Sequence, residues 1–283
     1  MWMKYAKVVL IMLIAIIIGA LIMNRLPSKM RDKYQKDQED YFFNHRQTEQ
    51  GKFNLDELAE FPQPIIEYLQ KMGYLGQTKM NGIRLFFKGA DFYLDRDKPK
   101  MTIDYDVTES CLASKRIAYI ESQLYSLKFN GYDIFLDHEA SMQGEVLNRF
   151  KLFKQEGDHL KQGEMLTYLS EVFLMPNALF NDAINFKMLD RKHVSATITH
   201  KNEQLEGVFE FNEAGEMVRF TTEQRPNVDT KGNTTYRTWI AECQDYQVNE
   251  QGIKVPTRFI ASWLIEGEKF EYFDGEISAI EYY

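Results

Sequence analysis

Cysteine is nearly absent: Cys111 and Cys243 are the only two in 283 residues. Two thiols cannot build a disulfide framework, and neither stands in a C-x-x-C or zinc spacing. Histidine is scarce as well, at five. His45, His138, His159, His193 and His200 never form H-E-x-x-H. His193 and His200 bracket one strand-like run, and their odd separation puts them on opposite faces, unsuited to a shared metal. Asp137-His138-Glu139 reads as an exposed turn. The G-x-S-x-G elbow, the P-loop and the G-x-G-x-x-G fingerprint are all missing. No metal or cofactor is therefore expected. Cationic excess is missing too: 34 Lys+Arg stand against 42 Asp+Glu, a net charge of −8. That excludes a nucleic-acid partner, because counterion release needs clustered cations. No Pro- or Gly-rich stretch splits the body of the chain, and no repeat of twenty to fifty residues is visible.

What is present is apolar surface. The sequence is 44% hydrophobic and 14% aromatic, which argues against disorder. Val8 to Met23 carries no polar side chain. With Tyr5, Ala6 and the stem of Lys7 the run approaches the roughly 30 Å of a bilayer core. We read residues 5–23 as a transmembrane anchor in contact with the lipid bilayer. A cleaved signal peptide is the alternative, disfavoured because no small-x-small site follows the run. Lys4 and Lys7 precede the span; Arg25, Lys29, Arg31, Lys33 and Lys36 follow it. A strict positive-charge count keeps the C-terminal part inside, but long domains translocate regardless of charge. Residues 24–53 read as a charged juxtamembrane linker.

Residues 54–283 read as a β-rich globular domain. Asn54 and Glu57 form a capping-box pair. Pro64, Ile65, Leu69 and Met72 suit a short helix that ends before Gly73. Met101 to Val107 alternates without a fault; Ile83, Leu85 and Phe87 share one face, as do Tyr125, Leu127 and Phe129. The run Glu164 to Met175 is a helix, with Met165, Leu169, Val172 and Phe173 on one stripe and Pro176 as its stop. Beyond it, runs around residues 194–198, 205–211, 217–220, 236–248, 253–265 and 270–282 are joined by short Gly-containing loops. That is an antiparallel meander, and strands this long curl. The expected fold is mainly β (α+β): a long, curved, half-barrel-like sheet with a few helices on one face, plus the N-terminal span.

Two chemical readings compete. Glu171 sits near Phe173 on the helix, where an apolar setting would raise its pKa and suit a general acid; an outward-facing position or a pair with a strand arginine such as Arg219 is the structural alternative. Aromatic and aliphatic side chains (Met165, Leu169, Phe173, Phe209, Phe211, Trp239 and Trp263) are candidates to line an apolar ligand groove between helix and sheet. Plain core packing explains the same residues.

The motif order also carries a resemblance. Phe61-Pro62-x-Pro64-x-x-x-Tyr68-Leu69 is followed by Tyr168-Leu169-x-Glu171-x-x-x-x-Pro176-x-Ala178-Leu179. Then come Gly207-x-Phe209-x-Phe211-x-x-x-Gly215, Trp239, Asp245-Tyr246, Gly252-x-x-x-Pro256, Trp263 and Ile280-Glu281-Tyr282. From about Phe61 to Tyr282 the chain resembles an uncharacterised bacterial family with a single domain of unknown function, often behind a membrane segment. Members commonly carry an aromatic residue where Met175 stands here. The resemblance implies no activity and no catalytic residues. More distantly, the architecture is similar to the half-barrels of outer-membrane lipoprotein carriers, which bind acyl chains. The functional expectation is a single-pass protein of the inner membrane, its domain on the outer side, holding a lipid or a lipidated protein. The alternatives are an envelope hydrolase using Glu171, or a scaffold for another membrane protein.

Overall fold

The computed structural model describes residues 2–47, 51–124, 127–137, 139–201, 203–228 and 233–283. It begins with helix α1 (Trp2–Met23) and helix α2 (Lys29–Tyr41), with α3 (Gln63–Lys71) further on. Six strands follow: β1 (Gly82–Phe92), β2 (Met101–Ser110), β3 (Lys115–Leu124), β4 (Leu127–Leu136), β5 (Glu139–Val146) and β6 (Phe150–Glu156). Helix α4 (Asp158–Glu171) then interrupts the strands, trailed by a 3-10 segment, Pro176–Phe180. The chain continues as β7 (Ile184–Met188), β8 (His193–His200), β9 (Glu203–Phe211) and β10 (Met217–Thr222). A small hairpin pairs β11 (Pro226–Val228) with β12 (Thr234–Tyr236), and another pairs β14 (Gln247–Val248) with β15 (Lys254–Val255). Around them run β13 (Trp239–Gln244), β16 (Arg258–Ile265) and β17 (Glu268–Tyr282).

Thirteen strands form one open sheet in the order β6-β5-β4-β3-β2-β1-β17-β16-β13-β10-β9-β8-β7. Every pairing is antiparallel. The chain thus lays down two meanders and joins them where β17 returns to pair with β1. Register slips between Phe86 and Phe87 and between Phe87 and Asp91 break this central seam, and such bulges bend a sheet. Gly89, at φ 68°, sits within the second slip, in a conformation that glycine adopts without strain. The outer strands β6 and β7 leave edges open; lysines at 151, 154 and 187 stand on them, as exposed edges require.

Sequence alternation foretold the strands whose faces differ most. The six strands of the last ninety residues are present as β8, β9, β10, β13, β16 and β17. Of the expected face Tyr125, Leu127 and Phe129, Tyr125 lies outside the described residues, and Leu127 opens β4. Likewise His138 lies outside them. Asn54 and Glu57 make the reciprocal cap, each backbone N–H reaching the other's side chain at 3.0 and 3.1 Å. Helix α4 starts six residues before the expected Glu164 and ends at Glu171. Its first turns, Asp158 to Gln162, carry little apolar signal.

One face of the sheet, the inner face, carries α3 and α4. Phe173, just after α4, packs its ring against Phe209 at 4.7 Å, Tyr68 at 5.0 Å and Phe211 at 5.2 Å. The opposite face carries α2. The segment 24–53, expected as a charged linker, instead holds this helix against β2, β3 and β4. Met30, Tyr34 and Phe42 bury themselves with Ile117, Tyr119 and Tyr132. Tyr34 donates its hydroxyl hydrogen to Asp106 Oδ1 at 2.7 Å, and Tyr132 donates to Asp37 Oδ2 at 2.6 Å. Ser28 caps the helix, its Oγ accepting from the Arg31 N–H at 3.2 Å. The turn between α1 and α2 is tied down as well. Lys128 N donates to Asn24 Oδ1 at 2.7 Å, and Asn148 Nδ2 donates to the Leu26 carbonyl at 2.6 Å.

No residue of helix α1 whose burial is described is buried, and Tyr5–Met23 is long and apolar enough to cross a membrane. A helix of this kind at the N-terminus serves as an anchor or as a signal sequence. Replacing Tyr34→Ala should cost about 3 kcal/mol and release α2 while leaving the sheet folded. Limited trypsin digestion would show this as rapid cleavage at Arg31 to Lys36 with an otherwise resistant domain; cleavage unchanged from the wild type would contradict it.

Candidate functional site

Strands put alternate residues on opposite faces, so the inner face of β2, β3 and β4 can be read by parity. Apolar residues there are Ile103, Val107, Ala118, Ile120, Phe129 and Phe135. Four polar residues share the same parity, Tyr105, Glu109, Arg116 and Asp133, and so does Gly131, which carries only a hydrogen. Helix α4 lies over them and adds Glu164 and Glu171, seven residues apart and so on one helical face.

Arg116 is the hub of this cluster. Its Nε–H donates to Glu171 Oε2 at 2.9 Å, one Nη to Glu164 Oε2 at 3.4 Å, and the other to the Tyr105 hydroxyl at 2.9 Å. Glu109 Oε1 lies 2.8 Å from the same Nε, but that nitrogen has one hydrogen and it points to Glu171. Neither Glu109 oxygen has a hydrogen-bond partner of its own. Glu109 is wholly buried. Burial first, then the charge of Glu171, push the Glu109 carboxyl well above the usual range, with Arg116 pulling the other way. Glu109 is therefore biased toward its protonated form where it lies against the Glu171–Arg116 pair.

Between this cluster and the sheet edge an unfilled space remains. It encloses about 180 Å³. Its polar end is formed by Arg116, Asp133, Glu164, Glu171 and Arg225; its apolar wall includes Phe92, Leu94, Met101, Phe129, Phe153 and Phe273. Leu94 is 54% exposed, so the wall runs out to solvent. The space exists partly because two glycines face each other across β4 and β5. Gly131 pairs with Gly144. A Cβ on Gly144 would fall 2.4 Å from the Phe153 ring, so the ring lies flat where a side chain would stand. A Cβ on Gly131 would stand 3.1 Å from Ile120, inside the cavity wall.

Two groups on the wall are incompletely satisfied. Asp133, only 6% exposed, has no hydrogen-bond partner for Oδ1. Its carboxyl is pushed up to about 8 by burial and then by the charge of Glu164, with Arg116 and Arg225 pulling the other way. Arg225 Nε is also without a partner. Its Nη1 donates to the Gly163 carbonyl at 2.6 Å, and its guanidinium lies 4.6 Å from the Trp239 ring centre, a cation–π contact.

The profile of a family of unknown function (DUF6544) matches residues 51–275. The chain belongs to that family. The membership agrees with the family expected from the motif order, and the matched stretch includes all the residues that line the cavity. No curated protein matches the chain. A solved structure, the putative outer membrane lipoprotein-sorting protein domain from Vibrio parahaemolyticus, is similar over 78% of this chain and 91% of that chain. It is 9% identical, with a TM-score of 0.43.

Within the DUF6544 domain the sequence-predicted residues separate into two groups. Trp239 and Glu171 stand on the cavity wall. Met165, Leu169, Phe173, Phe209 and Phe211 are buried in the main core. Trp263 stacks on Tyr272 with ring centres 6.1 Å apart, beside the wall. Glu171 does pair with a strand arginine, but with Arg116; Arg219 is engaged by Glu210 at 2.9 Å and Glu242 at 3.3 Å. Arg116, Glu109 and Asp133 escaped the sequence reading. Their signal was there: each is a charged residue at an apolar-parity position of an alternating strand. Cys111 and Cys243 are both free and buried. Among the described residues no group of His, Cys, Asp and Glu is arranged to hold a metal ion, since the carboxylates converge on a guanidinium.

Removing Arg116 strands two buried carboxylates. Arg116→Met should destabilise the domain by about 3–5 kcal/mol, and the combined Arg116→Met, Glu164→Gln, Glu171→Gln variant should recover most of that loss. Urea denaturation of the three proteins checks it. Asp133 gives a pH dependence of known sign. The folded state keeps a proton that the unfolded chain loses near pH 4 (about 3.9 for a free aspartate). The associated stability is complete below that pH and is lost as pH rises toward 8. Glu109 acts in the same direction. Denaturation between pH 5 and 8 should show stability falling with pH, and Asp133→Asn should flatten the fall.

Proposed function

We propose that this protein is a single-pass binding protein of the cytoplasmic membrane, anchored by residues 5–23, whose domain holds the alkyl part of a lipid or lipidated partner between α4 and the sheet. The observation that carries the reading is the cavity: an aromatic-walled space of about 180 Å³ that runs from a buried polar floor to the surface. An apolar cavity of about 150 Å³ is enough to take up benzene. Ligand pockets for whole drug-sized molecules are larger, about 300–1,000 Å³. The cavity therefore suits a short alkyl segment, with the remainder of the ligand leaving past Leu94.

The tether supports the same reading. Asn24, at the end of α1, is hydrogen-bonded to Lys128, and the next residue, Phe129, lines the cavity. The end of the membrane segment and the apolar wall thus lie side by side. We place the domain on the outer side of the membrane, as long domains can cross despite flanking positive charge; a reporter fused after Tyr283 tests that assignment. Hydrolysis by Glu171 would need a carboxyl free to exchange protons with a substrate, whereas its Oε2 is engaged by Arg116.

The test is ligand uptake by detergent-free protein. An uncharged environment-sensitive alkyl dye should bind at micromolar concentration and be displaced by octanol. Gly131→Val, which fills the wall beside Ile120, should weaken dye binding by about ten-fold or more, the loss expected when roughly 1.4 kcal/mol of contact is removed. Dye binding that Gly131→Val leaves intact would place the ligand elsewhere.

A further inference from the structure

We infer that the inner end of the cavity is a receptor for the ammonium group of an alkylamine-type amphiphile, which enters head first and is met by Asp133 Oδ1. The inference rests on the lipid reading above and specifies the head group. Its basis is an acceptor left over in a place where acceptors are not left over. Buried polar atoms in folded proteins almost always have partners, and Asp133, 6% exposed, faces the cavity with Oδ1 unmet.

The surrounding charges choose between head groups. Asp133 on β4 is faced by Arg116 from β3, by Tyr105 from β2, by Glu164 and Glu171 from α4, and by Arg225 from the segment after β10. Glu109 lies against Arg116 and is not part of the cavity lining. Arg116 directs three of its five N–H donors to Glu171, Glu164 and Tyr105. With Asp133 ionised, the lining holds three carboxylates against two guanidiniums. An ammonium group restores neutrality and gives Asp133 a charge-assisted hydrogen bond. A carboxylate or sulfate head would add a further negative charge beside Asp133, Glu164 and Glu171, where carboxylates already outnumber guanidiniums. In the empty cavity Asp133 holds a proton up to about pH 8. Binding of R-NH3+ therefore expels that proton to solvent: one cation enters, one proton leaves, and the site's charge is conserved. The chain then runs outward past Phe129 and Phe153 toward Leu94, at the end of the sheet beside the anchor.

Probes of one chain length and different heads test this with the full-length protein in nanodiscs: octylammonium, octanamide, octanol and octanoate. Octylammonium should bind at least about ten-fold tighter than the two neutral probes, and octanoate weakest. Its affinity should rise several-fold per pH unit between pH 6 and 8. Calorimetry in two buffers of different ionisation enthalpy should count close to one proton released. Asp133→Asn, which mimics the protonated side chain, should erase the preference for octylammonium and the pH dependence. The wild-type proton count stands even if that variant folds poorly. Octanamide offers an N–H to Asp133 and a carbonyl to Arg225 Nε, so tighter binding of octanamide overturns the charged head group. So does tighter octanoate, equal binding of all four, or zero proton release. Absence of binding by every probe overturns the lipid reading itself.

Discussion

A single buried guanidinium decides how this domain closes. Helix α4 crosses the sheet with two glutamates on its underside, and Arg116 on β3 receives both. A helix resting only on rings can slide, because apolar contact is non-directional. An ion cluster with fixed donor angles cannot. Arg116 therefore sets where α4 lies and how high it stands above β2, β3 and β4. The cost of burying so many charges is reduced because burial biases one member, Glu109, toward its protonated form.

The cavity follows from uneven cover. Over β8 to β10 the inner face is filled by Phe173, Tyr68, Phe209 and Phe211, ring against ring. Over β2 to β5 the filler is polar and sparse, and the strands themselves withdraw. Gly131 and Gly144 meet at one pair, so neither strand contributes a side chain at that point. Aromatic rings from Phe129 and Phe153 lean over the gap without closing it. One half of the sheet is thus a conventional core and the other half a lined recess, although the pairing of strands is continuous through both.

The sequence showed the sheet better than it showed the recess. Met101 to Val107 and Val194 to Phe211 alternate because one face is wet and the other dry, and contrast of that kind is visible in a linear string. Glu139–Val146 and Phe150–Glu156 have little contrast; β6 in particular is exposed along nearly its whole length, so no period marks it. Helix α2 was legible as a charged run and illegible as a packed element, because its buried face includes Tyr34, Asp37 and Gln38, whose polar atoms are met by Asp106, Tyr132 and Thr108, 70 and more residues away. Glu171 stood out for its apolar neighbours. Its partner could not be named, since an arginine 55 residues away is distinguished from Arg219 only by which strand happens to run beneath the helix. The unmet oxygen of Asp133 is a property of absence and has no signature in a string of letters.

Helix α2 bolts the outer face of β2 to β4, and the five residues between α1 and α2 are themselves pinned to Lys128, Asn148 and Arg149. The leash has no slack. Wherever the first helix is lodged, the β-domain must stay within a few residues of its end, as a flag does on a short pole, and the strand end that carries Lys128 stays at the foot of that mast.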